Sequence, residues 1–353
     1  APAMPVLIVG RVLQGFSSGM LISVAYAAVR AAYHPDVRPR MMALWSSGWV
    51  IPGLVGPAVA GFVAETIGWR WVFLGMIPFP LIAGMLTVPS FRAFDIAKGG
   101  VRDHTRLRDA ILLAAGTAIL LAGLGRSQWF LLGTLVIAGA VIALPAFKRL
   151  TPPGTLRARP GVSASVACMI LVTVGFFGFE FFLPLAMTEL RHQNAVMAGL
   201  PLTASSLTWT TGTWVVDQRS KVYSRSMLLR TGLALITVGI VLSLGVFLSG
   251  LPILISFVTW GLAGLGMGMS FSTLMLSILN DAPEGSEGVT ISAGQLANML
   301  GTALGVGVGG AIIAAMSVGD VATKGGFTTV TIGVVIVLVV GFLLAARIAA
   351  PRA

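Results

Sequence analysis

Residues 10–30 read GRVLQGFSSGMLISVAYAAVR. The run is apolar or small except for Arg11 and Gln14, which stand one helical turn apart near its start. A helix needs roughly 20 predominantly apolar residues to cross the hydrocarbon core of a bilayer, and the stretch from 3 to 32 supplies them. Whether it is a membrane span or a buried core helix depends on the rest of the chain. Of the 353 residues, 56% are hydrophobic and only 10% are charged. Soluble domains carry roughly 25% charged residues. Too little polar surface remains to face water, so lipid is the expected solvent for most of the chain.

The same window places spans near 3–32, 41–65, 71–91, 109–126, 128–147, 162–187, 194–216, 226–249, 252–279, 288–316 and 326–347. The expected fold is therefore an all-α polytopic membrane protein, a helical bundle with about eleven spans. The short pair at 109–147 turns at Gly123, Gly125, Arg126 and Ser127. The formal net charge of +11 does not point to nucleic acid, because the cations sit in short loops between apolar runs. Alternate loops hold 18 of the 23 lysines and arginines, among them Arg38, Arg40, Arg102, Lys148, Arg157, Arg159, Arg219, Lys221 and Arg347. Basic loops stay in the cytoplasm, which puts the C-terminus inside. The expected location is the plasma (inner) membrane, with several passes.

Several chemistries lose support at this stage. Cys168 is alone and lies in an apolar run, so no disulfide can form within the chain. His34, His104 and His192 lie in separate loops, and no metal site or cofactor is expected. Gly305, Gly307 and Gly310 match G-x-G-x-x-G, but no strand precedes them and the run continues as a membrane helix. A membrane-embedded lipid-linked transferase would need clustered acids or histidines. Only Asp281, Glu284 and Glu287 approach that, without supporting context. The chain is not expected to be an enzyme. With no phosphate loop either, transport would have to draw on an ion gradient.

Small residues at four-residue spacing let membrane helices approach closely, and close packing replaces the hydrophobic drive that lipid cannot supply. Such rows run through Gly15, Gly19, Ser23 and Ala27, through Gly48, Pro52, Gly56 and Ala60, and through Gly301, Gly305 and Gly309. Gly261, Gly264, Gly266 and Gly268 crowd another span.

The segments GRVLQGFSSG and WVIPGLVGPAVAGFVAETIGWRWVF (49–73) resemble the major facilitator superfamily, and more closely its fourteen-helix drug:proton antiporter branch. Arg11, Gln14 and Gly15 match the R-x-x-Q-G pattern of that family's fourth helix. Gly56, Pro57 and Gly61, followed by Trp69, Arg70, Trp71 and Phe73, match the antiporter motif of the fifth; Ala60 replaces the first glycine of its terminal pair. GTWVVDQRSK, 212–221, is similar to a degraded G-x-x-x-D-R loop, with Asp217 and Arg219 in the acidic and basic places. The resemblance implies three further helices before Ala1. It makes 1–91 the remainder of the N-terminal bundle (helices four to six), 92–161 a cytoplasmic loop with two linker helices, and 162–353 a six-helix C-terminal bundle. The spans at 3–32 and 252–279 should be counterparts in the two halves.

The implied activity is proton-coupled export of hydrophobic or cationic drug-like molecules by alternating access. The partners would be a small-molecule substrate, protons and the lipid bilayer, with no nucleic acid, and the chain would work as a monomer. A uniporter or importer of another small solute is the alternative.

Polar residues inside the spans are the site candidates. Arg11 either reaches the outer headgroups and ties neighbouring helices, or faces a central cavity beside Gln14. In the family the matching arginine is associated with proton coupling. Glu180 sits in FFGFEFFLPL, the most apolar setting of any carboxylate here. It is either hydrated near the outer surface or a proton carrier. Gln295 and Asn298 share one helix face. Trp45, Trp49, Trp209, Phe176, Phe177, Met267 and Met269 are candidates to line a pocket for a flat, greasy compound. Gly56, Pro57 and Gly61 would serve packing, and Asp217 with Arg219 a cytoplasmic gate.

Overall fold

The structure is a computed structural model. It describes residues 4–48, 50, 52, 56, 59, 62–63, 66–93, 104–126, 128–248, 251–317 and 322–348. These residues form helices with short connections: α1 (Met4–Ala32), α2 (Arg38–Ser47), α3 (Trp69–Leu74), α4 (Pro78–Ala93), α5 (His104–Leu124), α6 (Trp129–Leu150), α7 (Val162–Glu180), α8 (Leu183–Glu189), α9 (Ala195–Arg219), α10 (Arg225–Leu248), α11 (Ile255–Asn280), α12 (Glu287–Ala315) and α13 (Lys324–Leu344). Among the described residues, 8 helical segments are long and apolar enough to cross a membrane. Helices α1, of 29 residues, and α9, of 25, are as long again. The all-helical expectation therefore holds. The second half of the span read at 41–65 falls largely outside the described residues.

Local chemistry sets the helix ends. Asn194 opens α9 by accepting from the Met197 amide at 2.9 Å, and Thr323 opens α13 by accepting from the Gly326 amide at 3.2 Å. The span read over 162–187 is present as one crossing, Val162–Glu189, with a turn at residues 181–182 between α7 and α8. Pro184, in the first turn of α8, has no N–H to give the Glu180 carbonyl. The chain tightens there, with the Phe182 amide donating to Phe179 O at 3.0 Å.

Glycines decide which helices meet. Helix α11 lies between α9 and α10. A side chain at Gly268 would meet the backbone of Trp209 on α9, and one at Gly266 the backbone of Gly232 on α10. Gly301 and Gly305 of α12 abut Ile170 and Val174 of α7, where a Cβ would come within 2.7 and 2.6 Å of a backbone carbonyl. Helices α5 and α6 form their own close pair: Gly116 and Gly139 face each other, and Arg149 bonds Asp109 at 3.1 Å at one end. The largest core cluster draws residues from every helix from α7 to α13, most of them from α7, α10 and α11. Helix α1 touches α12 and α2, and it exposes Val12, Leu13 and Phe16.

Candidate functional site

Where α2, α7, α9, α11 and α12 converge, with Ile22 of α1 beside them, their side chains enclose a cavity of about 410 Å³. The size is that of a pocket for a drug-sized molecule. Its apolar wall is aromatic: Trp45, Phe177, Trp209 and Phe271. Phe177, Trp209 and Phe271 belong to one set of ring contacts. Trp209 meets Phe271 at 5.7 Å and Phe176 edge-on at 5.7 Å, and Phe176 lies flat on the buried Trp260 at 5.2 Å. Such packing locks the rotamers, so the wall is a preformed surface.

Three polar groups face this wall. Glu180 ends α7 and is the one carboxylate among the lining residues. Trp260 lies beside it, with its Nε1–H short of a well-formed hydrogen bond. Because Pro184 cannot cap the preceding turn, the carboxylate sits at the end of a helix that carries the negative pole of its dipole. Gln295 and Asn298, from α12, also line the cavity. They are 4% and 9% exposed. The Gln295 Oε1 and Nε2 and the Asn298 Oδ1 have no hydrogen-bond partner among the described residues. Buried amides left unpaired cost about 1–3 kcal/mol each.

The opposite end of the cavity is rich in hydroxyls. Thr210 donates to the Ser46 carbonyl at 3.2 Å, Thr213 to Ser46 Oγ at 3.3 Å, and Ser272 to Thr213 Oγ1 at 3.1 Å. Trp214 Nε1 donates to Ser47 Oγ at 3.0 Å. About two turns further along α2 and α11, Arg38 Nη1 donates to Asn280 Oδ1 at 2.6 Å. These bonds tie α2 to α9 and α11. Close by, Arg225 pairs with Asp281 at 2.6 Å.

The residues singled out in the sequence fall into separate groups. Glu180, Gln295, Asn298, Trp45, Trp209 and Phe177 come together at the cavity. Phe176, Met267 and Met269 are buried behind it. Arg11 and Gln14 are exposed on α1, bonded to each other at 3.1 Å, and neither lines the cavity. Asp217 is partly buried and Arg219 exposed at the end of α9, and they form no ion pair with a described residue. Gly56 has nothing within 4 Å of where a Cβ would stand. Pro57, Gly61 and Trp49 lie outside the described residues. Sequence reasoning missed the hydroxyl cluster and the Arg38–Asn280 bond. Serines and threonines recur along these helices, mostly bonded back to their own turn, as Thr173 is to Met169 O. Only the partner helix distinguishes those few that bond across.

The chain was compared with known proteins. The sequence model described as Major Facilitator Superfamily matches residues 1–306. The multidrug efflux pump SdrM of Staphylococcus aureus is 26% identical over 273 residues, covering 75% of this chain and 60% of the relative. A multidrug resistance protein B homolog of Mycobacterium tuberculosis is 27% identical over 333 residues, covering 86% and 59%. A second protein of that organism, named "probable multidrug-efflux transporter", is 23% identical over 345 residues, covering 92% and 72%. The chain thus spans about 60% of the length of two of these relatives and more of the third.

Proposed function

Because the chain belongs to the Major Facilitator Superfamily, we propose that it exports hydrophobic or cationic small molecules in exchange for protons, by alternating access. The observation that carries this reading is the cavity itself: one carboxylate at a helix C-terminus and two unpaired amides, opposite an aromatic wall. A lipophilic cation would stack on Trp209 and Phe177, pair with ionised Glu180 and donate hydrogen bonds to the side-chain oxygens of Gln295 and Asn298. Protonation of Glu180 would remove the charge partner and release the cation. Proton and substrate then exclude each other at one oxygen pair, which couples their opposite flows. The names of the multidrug relatives support this class of substrate.

The bonds from α2 to α9 and α11 would hold one end of the cavity shut and would have to break for the site to open that way. With basic loops inside, that end is cytoplasmic, as is the C-terminus. Residues 1–91 and 162–353 would be the two halves that rock, with α5 and α6 as linker helices. Asp217 and Arg219 would flank this gate, one turn from Trp214. Arg11 and Gln14 form a polar pair of their own on α1, whose part in coupling is a separate question.

The test is transport of a fluorescent lipophilic cation by the full chain in proteoliposomes with an imposed pH gradient. Accumulation should follow the gradient and collapse with a protonophore. Glu180→Gln, which mimics the protonated acid, should weaken cation binding, read as tryptophan quenching, and lose the response to the gradient. Flux indifferent to the gradient in the wild-type protein would favour the uniporter.

A further inference from the structure

Residues 151–161 bridge the end of α6 and the start of α7. The bridge is tightly held. Gly154 and Gly161 adopt φ of +93° and +94°, values that favour glycine. Ser163 Oγ donates to Pro153 O at 3.0 Å, Arg347 Nη1 to Arg157 O at 3.2 Å, and the Gly161 amide to Arg347 O at 2.9 Å. The bridge surrounds a second cavity of about 390 Å³, distinct from the aromatic one. Lys148, Arg157 and Arg159 line it, and no carboxylate does.

None of these three cations forms an ion pair with a described residue, whereas the adjacent Arg149 is neutralised by Asp109. Like charges gathered around one hollow repel each other, and a bound anion relieves that repulsion. A topology signal needs basic residues in a loop but gives no reason for a rigid hollow among them. The bridge joins the ends of two spans, so it lies at headgroup depth. Leu156, also lining the hollow, is 54% exposed. A ligand with a phosphate and an apolar neighbour would satisfy both features.

We propose that this basic hollow binds the phosphate of an anionic phospholipid, with Leu156 against the glycerol and upper acyl region. Free phosphate offers the same charge and makes no use of Leu156. The experiment is native mass spectrometry of the full chain in mild detergent, titrated separately with phosphatidylglycerol, phosphatidylethanolamine and inorganic phosphate. Phosphatidylglycerol should be retained most tightly. Arg157→Ala with Arg159→Ala should weaken it about twenty-five-fold, at about five-fold per cation near a charged headgroup. Arg40→Ala with Lys221→Ala, which removes the same charge from other exposed positions, should change it less than about twofold. Leu156→Asn should weaken the lipid and leave phosphate unaffected. If the double arginine variant does not fold, Lys148→Ala carries the same expectation at about five-fold. Equal losses in the two double variants would overturn the proposal in favour of diffuse surface charge. Phosphate binding as tight as that of the lipid would overturn it in favour of a free-anion site.

Discussion

Helices α1 and α11 look alike as sequence and behave differently as structure. Both are long and apolar, and both carry glycines at close spacing. In α11, Gly264 and Gly268 seat the backbone of α9, and Gly266 seats that of α10. In α1, Gly10, Gly15 and Gly19 have nothing within 4 Å of where a Cβ would stand. A glycine row is thus permission to pack, and it contributes stability only where a second backbone fills the groove. The same division separates the polar residues. Those on helices seated by glycine, Glu180 on α7 with Gln295 and Asn298 on α12, converge on the aromatic cavity, while those on α1 bond to each other.

The largest expected effect tests the packing directly. Gly268→Ala should destabilise the folded chain by about 2–3 kcal/mol, because its Cβ would occupy the place of the Trp209 carbonyl and a backbone must move. Gly15→Ala adds the same methyl to open space and should be neutral or stabilising by up to about 1 kcal/mol. Thermal unfolding of the two variants in one detergent measures the difference. Equal shifts would erase the distinction between the two helices.

Next come the amides. Gln295→Leu and Asn298→Leu each remove a buried polar group that lacks a partner. Each should raise stability by about 1 kcal/mol, since the desolvation cost disappears with the group. Each should also weaken binding of the lipophilic cation about tenfold, the loss of one hydrogen bond to a charged or polar ligand. Stability and affinity moving in opposite directions is the signature of a binding group. If both fell together, the amides would be supporting the fold.

A comparable effect is expected at the hydroxyl end. Arg38→Ala removes the 2.6 Å bond to Asn280, which joins α2 to α11. A bond from a charged donor is worth about 1.5–3 kcal/mol. Its loss should move the access equilibrium toward the state open at that end by roughly ten-fold or more. Accessibility of a cysteine placed at Ser46, in a Cys168→Ser background, reports the shift. An unchanged labelling rate would mean that the bond is not part of a gate.

How much of this could be read from the chain follows from the range of each signal. Span positions were legible because hydrophobicity over 20 residues is a local property, and α5, α6, α10, α11 and α13 begin and end within a few residues of expectation. The Gly301–Gly305–Gly309 row was legible as a contact face, but its partner, the Ile170–Val174–Gly178 face of α7, was not. The break after Glu180 was written in Pro184 and obscured by the apolar run around it. Glu180, Gln295 and Asn298 stood out because polar side chains are rare in such helices. Ser46, Thr210, Thr213 and Ser272 did not, since a hydroxyl can satisfy itself on its own turn, and bonding across helices depends on tertiary approach. Asp217 and Arg219 drew attention through a motif, while the charged contacts formed on other elements, at Arg38 with Asn280 and at Arg225 with Asp281.

The smallest expected effect on transport concerns the residue that first raised the question. Arg11 is the eighth residue of α1, about 10 Å along its axis from the first. A guanidinium within an apolar helix costs about 2.5–3.5 kcal/mol at the centre of a bilayer, and less toward the surface, which its long side chain can approach. The 3.1 Å bond to Gln14 Oε1 satisfies one of its five donors. With no lining role at the aromatic cavity, Arg11→Leu should leave gradient-driven transport and cation binding within about twofold of wild type, and should raise stability in a bilayer by about 1–2 kcal/mol as the desolvation cost is lifted. Glu180→Gln, assayed in the same proteoliposomes, should abolish the response to the pH gradient. The family pattern that Arg11 matches gives the opposite expectation, that its loss uncouples transport. If Arg11→Leu uncouples while Glu180→Gln does not, the functional centre lies with α1, and the aromatic cavity is a packing defect bordered by polar groups.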